Sequence, residues 1–210
     1  MNILDKSYKA SIDELKNKVI TGQTESIGWR INQISKVSQL LNENKKEIIK
    51  ALFLDLGKSE IEALSEILLI KEEISLIKKN LKIWMRPKRV PTPIYLFPSF
   101  SKVTYEPLGC VLILGPYNYP LLYLLKPLVN IFSSGNTAVM KPSEKCSSTS
   151  KLIKQLTDKY FPKDILLTIE GDYKKSIKLA EHNFDHIFFT GSTETGKSIM
   201  KSASTNLTPL

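Results

Sequence analysis

The chain has little cysteine, little histidine and no long apolar run, and each shortage excludes a class of protein. It contains 2 cysteines and 2 histidines in 210 residues. Two cysteines are too few for a disulfide scaffold and are typical of a reducing compartment. No apolar run approaches the ~18 residues needed to cross a bilayer. The N-terminal stretch MNILDKSYKASIDELK is charged where a signal peptide has its apolar core. We therefore expect a cytoplasmic protein without a membrane span.

Two binding signatures are also missing. No G-x-G-x-x-G fingerprint occurs, so an ordinary dinucleotide-binding fold of that type is not supported. Lys and Arg number 30 against 21 Asp and Glu, and the resulting charge of +9 would suit a polyanionic partner. However, the lysines are scattered among glutamates, with no clustered basic helix and no aromatic platform for stacked bases. We therefore expect a solvated surface and no nucleic-acid partner.

The composition is otherwise that of a globular protein, with 42% hydrophobic and 24% charged residues. A length of 210 residues suits one large domain or one and a half small ones. The sequence pattern changes near residue 90 and again at Gly109. We therefore divide the chain into a helical segment (1–90), an extended hairpin (91–108) and an α/β domain (109–210).

Capping and periodicity patterns typical of helices occur throughout the first segment. Ser11 and Glu14 have the spacing of a capping box, which predicts a helix start at Ser11. Apolar residues then recur at steps of three and four from Ile27 to Leu41, as in an amphipathic helix.

Two further helices are predicted before the hairpin. One covers 43–56, with Gly57 at the C-terminal position that favours a left-handed backbone. Ser59 can begin the next, whose apolar positions run from Ile61 to Leu81, and Pro87 ends it. Five prolines then exclude a helix over 86–107 but allow an edge hairpin.

From Gly109 onward, short apolar runs alternate with helical patterns. The runs CVLIL, TAVM, ILLTI and HIFFT are typical of strands buried in a sheet. Strands and helices joined by short links predict an open parallel Rossmann-like sheet with alternating helices. Ligands on such sheets bind at the carboxyl ends of the strands. The candidate loops are therefore 115–120, 141–144, 170–172 and 191–197.

The first loop, GPYNYP, contains a candidate oxyanion donor. Asn118 lies between Pro116 and Pro120, in a turn that fixes its direction. A rigid amide can donate to a developing oxyanion. Asparagine is also common in turns for backbone reasons alone, and the loop by itself favours that interpretation.

The second loop, KPSE, contains a candidate pair for a ribose. The carboxylate of Glu144 could accept both ribose hydroxyls, and Lys141 could bind a ribose or a phosphate. The alternative is a capped helix start with solvated charges, because Ser143, Ser147 or Ser148 could each be the N-cap.

The fourth loop, GSTETGKS, fits the G-x-x-x-x-G-K-[ST] pattern of a phosphate-binding P-loop. Taken literally, it places Lys197 on the phosphates of a nucleoside triphosphate. We reject this interpretation, because P-loops normally follow the first strand and no later strand supplies the acid that holds magnesium. A glycine-containing turn before a helix can still present N–H groups to a phosphate, or be no more than a tight turn.

The histidines and cysteines give no site of their own. His182 and His186 are expected on different elements with no third ligand, so we predict no metal centre. Cys110 begins a buried strand, and Cys146 has no neighbouring base to activate it, so neither is assigned as a nucleophile.

Several blocks together resemble the aldehyde dehydrogenase superfamily. They are EPLGCVLILGPYNYP, GNTAVMKPSE and FDHIFFTGSTETGK, in the family's order and spacing. The preceding stretch DLGKSEIEALSEILLIKEEISLIKKNLKIWMRPKRVPTP resembles the N-terminal helices of the class 3 branch, which includes fatty, aromatic and coniferyl-aldehyde-type enzymes. The resemblance covers almost the whole chain.

The resemblance implies a role for six residues. Asn118 matches the asparagine that stabilises the oxyanion of the tetrahedral intermediate. Lys141 and Glu144 match the pair that holds the adenosine ribose of NAD or NADP, with NAD slightly favoured by the carboxylate. The pyrophosphate turn is matched by Gly191 and Ser192, and a neighbouring glycine region by Gly171.

The resemblance also implies what this sequence does not contain. In the family, a general-base glutamate and then a nucleophilic cysteine come after the region matched here. We therefore expect an N-terminal portion of an aldehyde-oxidising enzyme: helices of the cofactor domain (1–90), an oligomerisation-type arm (91–108) and an incomplete NAD(P)-binding domain (109–210), truncated before its last strand. The catalytic domain is expected to be absent and the chain alone inactive.

The alternative is a non-catalytic NAD(P)-binding or complementing module. An intact relative is expected to be a homodimer acting on a small-molecule aldehyde.

Overall fold

The computed structural model describes residues 3–210, with side chains from residue 8 onward. The helices are α1 (Ile3–Ile20), α2 (Ile27–Glu43), α3 (Lys45–Leu56), α4 (Glu60–Trp84), α5 (Leu122–Ser133), α6 (Ser147–Tyr160), α7 (Tyr173–Ala180) and α8 (Thr193–Ala203). The strands are β1 (Lys88–Val90), β2 (Ser101–Val103), β3 (Cys110–Leu114), β4 (Thr137–Lys141), β5 (Leu166–Thr168) and β6 (His186–Phe189). Among these described helices, none combines the length and apolar character needed to cross a membrane.

Four strands form a parallel sheet in the order β5-β4-β3-β6. Leu112 in β3 lies opposite Val139 in β4 on one side and Ile187 in β6 on the other. Every residue of β3 and β4 is buried, and for β3 the wholly apolar run predicts this. The predicted α/β fold with an open parallel sheet is confirmed, and the carboxyl ends of all four strands lie along one edge.

Helices cover both faces of this sheet, and the strand alternation divides the core between them. Val111 and Ile113 pack with residues of α2 to α6 in one cluster. Cys110, Leu112 and Leu114 pack with residues of α1, α7 and α8 in the other. Successive side chains of a strand point to opposite faces, so one apolar strand contributes to both halves of the core.

Local signals in the helical segment are mostly confirmed. Gly57 ends α3 with φ +64°, a conformation that glycine adopts without strain. Ser59 begins α4 with a complete capping box, in which its side chain accepts from the N–H of Glu62 and Glu62 accepts from the N–H of Ser59. The predicted helix start at Ser11 is wrong, because α1 already begins at Ile3 and continues through that position.

The predicted inward stripe of α4 is also wrong at its first position. Ile61 is 80% exposed. The buried stripe begins at Ala63 and continues through Ile67 and Ile70. Two residues correspond to about 200° around a helix, so Ile61 faces away from the core once Ala63 faces it.

The proline-rich stretch forms the predicted hairpin. β1 and β2 pair antiparallel, with Lys88 opposite Val103 and Val90 opposite Ser101. The segment between them carries four large apolar side chains that are more than four-fifths exposed: Ile94, Tyr95, Phe97 and Phe100. The hairpin therefore spans residues 88–103, whereas the predicted bounds are 91–108, and from here on residues 88–103 are called the arm.

Candidate functional site

The carboxyl ends of β3, β4 and β6 open into one cleft of about 410 Å³. Its walls come from the loops after these strands and from the first turns of α7 and α8. Five of the six predicted site residues line it: Asn118, Lys141, Glu144, Gly191 and Ser192. Side chains up to 74 positions apart in sequence therefore meet in one place, as the topology of a parallel sheet predicts.

The loop after β3 presents the amide of Asn118. The backbone N–H of Tyr119 donates to Oδ1 of Asn118 at 3.1 Å. Because the carboxamide oxygen is used inside the loop, the Nδ2 donor is the part of the side chain left to face a ligand. The loop starts at Gly115, where a Cβ would lie 2.7 Å from Cδ2 of Leu124, so a larger residue would displace α5 or the loop.

Lys141 and Glu144 form an ion pair beside the cleft. Nζ of Lys141 lies 2.7 Å from Oε2 of Glu144, and the Lys141 side chain is 3% exposed against 40% for Glu144. Partial burial works against ionisation of Glu144, but the hydrogen bond and charge of Lys141, with Lys145 nearby, hold its pKa below the usual value. Solvated charges at a helix start do not describe this pair, because the ammonium group is buried against the carboxylate.

The start of α6 is capped from a distance. None of Ser143, Ser147 and Ser148 is its N-cap; that position belongs to Cys146, which makes no side-chain capping bond. Instead, the carboxylate of Asp55 in α3 accepts from the backbone N–H groups of Ser148 (3.0 Å) and Thr149 (2.7 Å). The buried end of β4 and its KPSE loop are thereby anchored to the helical segment.

The loop after β6 brings the N-terminus of α8 to the cleft. Ser192 is the N-cap, and its Oγ accepts from the backbone N–H of Thr195 at 3.3 Å. At Gly191 a Cβ would lie 2.5 Å from the ring of Phe189, so the backbone passes close to that ring. The P-loop lysine does not face the cleft, since Lys197 is exposed and pairs loosely with Glu194 at 3.9 Å. What remains is a helix N-terminus that can face an anion.

Gly171 is the one predicted site residue that does not line the cleft. A Cβ at this position would lie 2.8 Å from Cγ of Lys175, so close packing within the turn into α7 accounts for the glycine. The same turn instead contributes Tyr173 and Ser176, which sequence reasoning missed. Their position in the sequence could have indicated them, because both follow the third candidate loop directly and lie in the first turn of α7, whose N-terminus faces the strand ends.

Neither cysteine is placed to act as a nucleophile. Burial raises the pKa of Cys110 to about 12 and that of Cys146 to about 11. The thiol of Cys146 donates to the carbonyl oxygen of Tyr117 at 3.1 Å. This hydrogen bond connects the start of α6 to the loop after β3. A thiol with a raised pKa is a poor source of the reactive thiolate, so both residues are structural.

Comparison with known proteins identifies the family. The model of the aldehyde dehydrogenase family matches residues 11–210. The chain belongs to the aldehyde dehydrogenase family. It is 38% identical to the 4,4'-diaponeurosporen-aldehyde dehydrogenase of Staphylococcus aureus, over 100% of this chain and 45% of that protein. It is also 38% identical to aldehyde dehydrogenase family 3 member I1 of Arabidopsis thaliana, over 95% of this chain and 36% of that protein. The expected class 3 resemblance is thus confirmed.

Solved aldehyde dehydrogenases share the fold. The substrate-bound state of Staphylococcus aureus AldH superimposes with a TM-score of 0.92 at 37% identity, covering 100% of this chain and 45% of that one. A betaine aldehyde dehydrogenase from the same species, solved with NAD+, gives a TM-score of 0.80 at 26% identity. The chain spans less than half the length of these relatives. Aldehyde dehydrogenases use NAD or NADP to oxidise aldehydes.

Proposed function

We propose that this chain binds a nicotinamide dinucleotide in the cleft at the strand ends and supplies the oxyanion donor for oxidation of an aldehyde to a carboxylic acid. The observation that carries the proposal is the convergence of Asn118, the Lys141–Glu144 pair and Ser192 on one cleft. When bound, the dinucleotide supplies the acceptor for the hydride that leaves the substrate.

The walls of the cleft suit the parts of such a ligand. Glu144 offers carboxylate oxygens to a ribose diol, and Lys141 fixes that carboxylate from the buried side. The N-terminus of α8 at Ser192 faces a pyrophosphate with backbone N–H groups. At Gly191 the backbone already lies so close to Phe189 that a side chain would not fit. Because a carboxylate repels a 2′-phosphate, the proposal favours NAD over NADP.

Asn118 acts on the substrate and not on the dinucleotide. Its Nδ2 donor is free to meet the negative charge that develops on the aldehyde oxygen when a nucleophile adds to the carbonyl carbon. An oxyanion donor of this kind contributes about 10²–10³ in rate. The addition itself needs a thiolate, and both thiols in these 210 residues are buried and have raised pKa values.

The first prediction is that the 210-residue chain binds NAD+ but does not oxidise aldehydes. Calorimetric titration should detect NAD+ at the cleft, with weaker binding of NADP+. A panel of aldehydes with NAD+ should give no rise in NADH absorbance, because neither thiol can form the nucleophile at neutral pH. Turnover that persists in the purified chain and disappears in Cys146→Ser would contradict the assignment of that thiol as structural. Failure of the wild-type chain to bind either dinucleotide would contradict the proposed function itself.

We also propose that the arm pairs with a second copy of the chain. Four large apolar side chains are almost fully exposed between β1 and β2. Exposed apolar groups clustered on an extended hairpin are typical of a surface that is covered in an assembly. A homodimer is the simplest such assembly, since identical arms can pair across a two-fold axis.

The second prediction tests the arm in solution. The wild-type chain should associate with increasing concentration in sedimentation equilibrium. The double substitution Phe97→Glu with Phe100→Glu should weaken association about 10-fold or more, because two aromatic side chains that the proposed dimer buries become charged. Ile20→Glu is the matched control: it charges a similarly exposed apolar side chain at the end of α1, outside the arm. Equal loss in the control, or a wild-type chain that stays monomeric, would show that the arm is not the contact.

A further inference from the structure

Glu66 on α4 is a fully buried carboxylate that is not part of the cleft wall. Its Oε2 accepts hydrogen bonds from the backbone N–H groups of Leu121 (3.2 Å) and Leu122 (2.9 Å). Its Oε1 accepts a hydrogen bond from Nζ of Lys58 at 2.5 Å. A buried charge is tolerated only when it is paired and hydrogen-bonded. Glu66 meets both conditions with partners from two other segments of the chain.

The start of α5 depends on this carboxylate. The N-cap position is Leu121, whose side chain cannot accept a hydrogen bond, and no side chain of its own caps the helix. The first N–H groups of a helix have no partner within it and favour negative charge. Glu66 supplies that charge from 55 residues earlier in the sequence, so the residues immediately after the Asn118 loop are fixed to α4.

Lys58 connects the carboxylate of Glu66 to Tyr119, near the end of the Asn118 loop. Its Nζ lies 4.1 Å from the centroid of the Tyr119 ring, as a cation over an aromatic face. Tyr119 in turn donates its backbone N–H to Oδ1 of Asn118. A continuous series of contacts therefore leads from Glu66 through Lys58 and Tyr119 to the carboxamide of Asn118.

We propose that Glu66 is a positioning residue for Asn118. It fixes the loop at two points, the N–H groups that begin α5 and, through Lys58, the ring of Tyr119. An oxyanion donor is effective when it already points to where charge will develop, since reorienting it during the reaction costs free energy. The inference rests on the proposed function for its purpose, but the ordering of the loop by Glu66 is measurable without it.

The test is Glu66→Gln, which keeps the shape of the side chain and removes its charge. Amide hydrogen exchange of Leu121 and Leu122 should become about 10-fold faster or more, because their acceptor loses its charge. The NMR signal of the Asn118 carboxamide, assigned by its absence in Asn118→Asp, should show increased mobility. Exchange in β3 should stay at its wild-type rate. Uniformly faster exchange throughout the protein, with an unchanged Asn118 carboxamide, would reduce Glu66 to a merely structural role.

Glu73→Gln is the matched control. Glu73 also lies on α4 and pairs with a lysine of α5, since Nζ of Lys126 is 3.3 Å from its Oε2. It touches neither the first N–H groups of α5 nor Tyr119 in any described contact. The control should leave the Asn118 carboxamide and the exchange of Leu122 unchanged, and an effect as large as that of Glu66→Gln would overturn the proposal.

Tyr119→Leu provides a second test if Glu66→Gln does not fold. It keeps Glu66 paired with Lys58 and bonded to the N–H groups of α5 but removes the ring that lies against Lys58, so the Asn118 carboxamide should gain mobility while Leu122 stays protected. An Asn118 signal identical to wild type would overturn the proposal. NAD+ titration of the wild-type chain keeps the two hypotheses apart: its failure contradicts the proposed function, whereas loop ordering by Glu66 is judged from exchange and carboxamide mobility alone.

Discussion

Glu144→Gln should weaken NAD+ binding by about 10- to 100-fold. A hydrogen bond to a charged group contributes about 1.5–3 kcal/mol, and each 1.4 kcal/mol corresponds to about a factor of ten in affinity. The amide cannot offer a ribose diol the two charged oxygens of the carboxylate. The change also leaves Nζ of Lys141 buried without the carboxylate that lies 2.7 Å away, which loosens the group that holds position 144 in place. Calorimetric titration measures the affinity directly.

Asp158→Asn is the matched control for this substitution. Asp158 pairs with Lys154 at 2.9 Å on α6, outside the cleft. Removing its charge breaks a lysine–carboxylate pair of similar length, so NAD+ affinity should stay at the wild-type value. The preference for NAD+ over NADP+ should shrink in Glu144→Gln, because the repulsion of a 2′-phosphate is gone. Wild-type NAD+ affinity in Glu144→Gln would show that the ribose is not held at this position.

The pH dependence of binding follows from the same ion pair. The pKa of Glu144 is held below its usual value, with the opposing effect of burial outweighed by Lys141 and Lys145. The carboxylate therefore stays charged at acidities where an ordinary glutamate has begun to protonate. NAD+ affinity should be flat from neutral pH into mild acid and fall as the pH drops through the lowered pKa. The ion pair also stabilises the folded state. That contribution is fully present above the unfolded-state pKa of Glu144 and is lost as the pH falls through the lowered folded-state pKa.

Features set by neighbouring residues could be predicted from sequence. The wholly apolar run from Cys110 to Leu114 predicted a strand buried on both faces, and every residue of it is buried. Gly57 and Ser59 predicted a helix end and a helix start, and both are observed. The convergence of Asn118 and Ser192 also followed, because the carboxyl ends of parallel strands share one edge of the sheet.

Features set by distant contacts could not be predicted. Asp55 caps a helix 93 residues away, and Glu66 caps one 56 residues away. In the sequence, each is one acidic residue among 21, and only the packing of α3 and α4 against the sheet brings it to a helix start. The predicted helix start at Ser11 is wrong although its capping pattern is local, because α1 begins earlier and continues through this position. Gly171 does not line the cleft, and a Cβ there would lie 2.8 Å from Cγ of Lys175; its role toward the dinucleotide stays a prediction.

Gly109 lies where the sheet begins, in a conformation that only glycine adopts readily, with φ +139°. A Cβ there would lie 2.0 Å from Oδ2 of Asp185. That carboxylate cannot move without loss, because it accepts from the N–H of Cys110 at 2.8 Å and pairs with Lys16 at 3.1 Å. The carbonyl of Gly109 also accepts from the N–H of Thr137 at 3.1 Å, where β3 meets β4.

Gly109→Ala should therefore destabilise the fold by about 2.5–6 kcal/mol, from roughly 1–3 kcal/mol of backbone strain and roughly 1.5–3 kcal/mol for the displaced bond of the Asp185 carboxylate. For a chain of this size, that corresponds to a fall in melting temperature of roughly 5–24 °C. Gly57→Ala is the matched control: its φ is also positive, but nothing lies within 4 Å of its Cβ. It should cost only about 1–2 kcal/mol. Equal melting temperatures for the two variants would show that the contact with Asp185 does not constrain the start of the sheet.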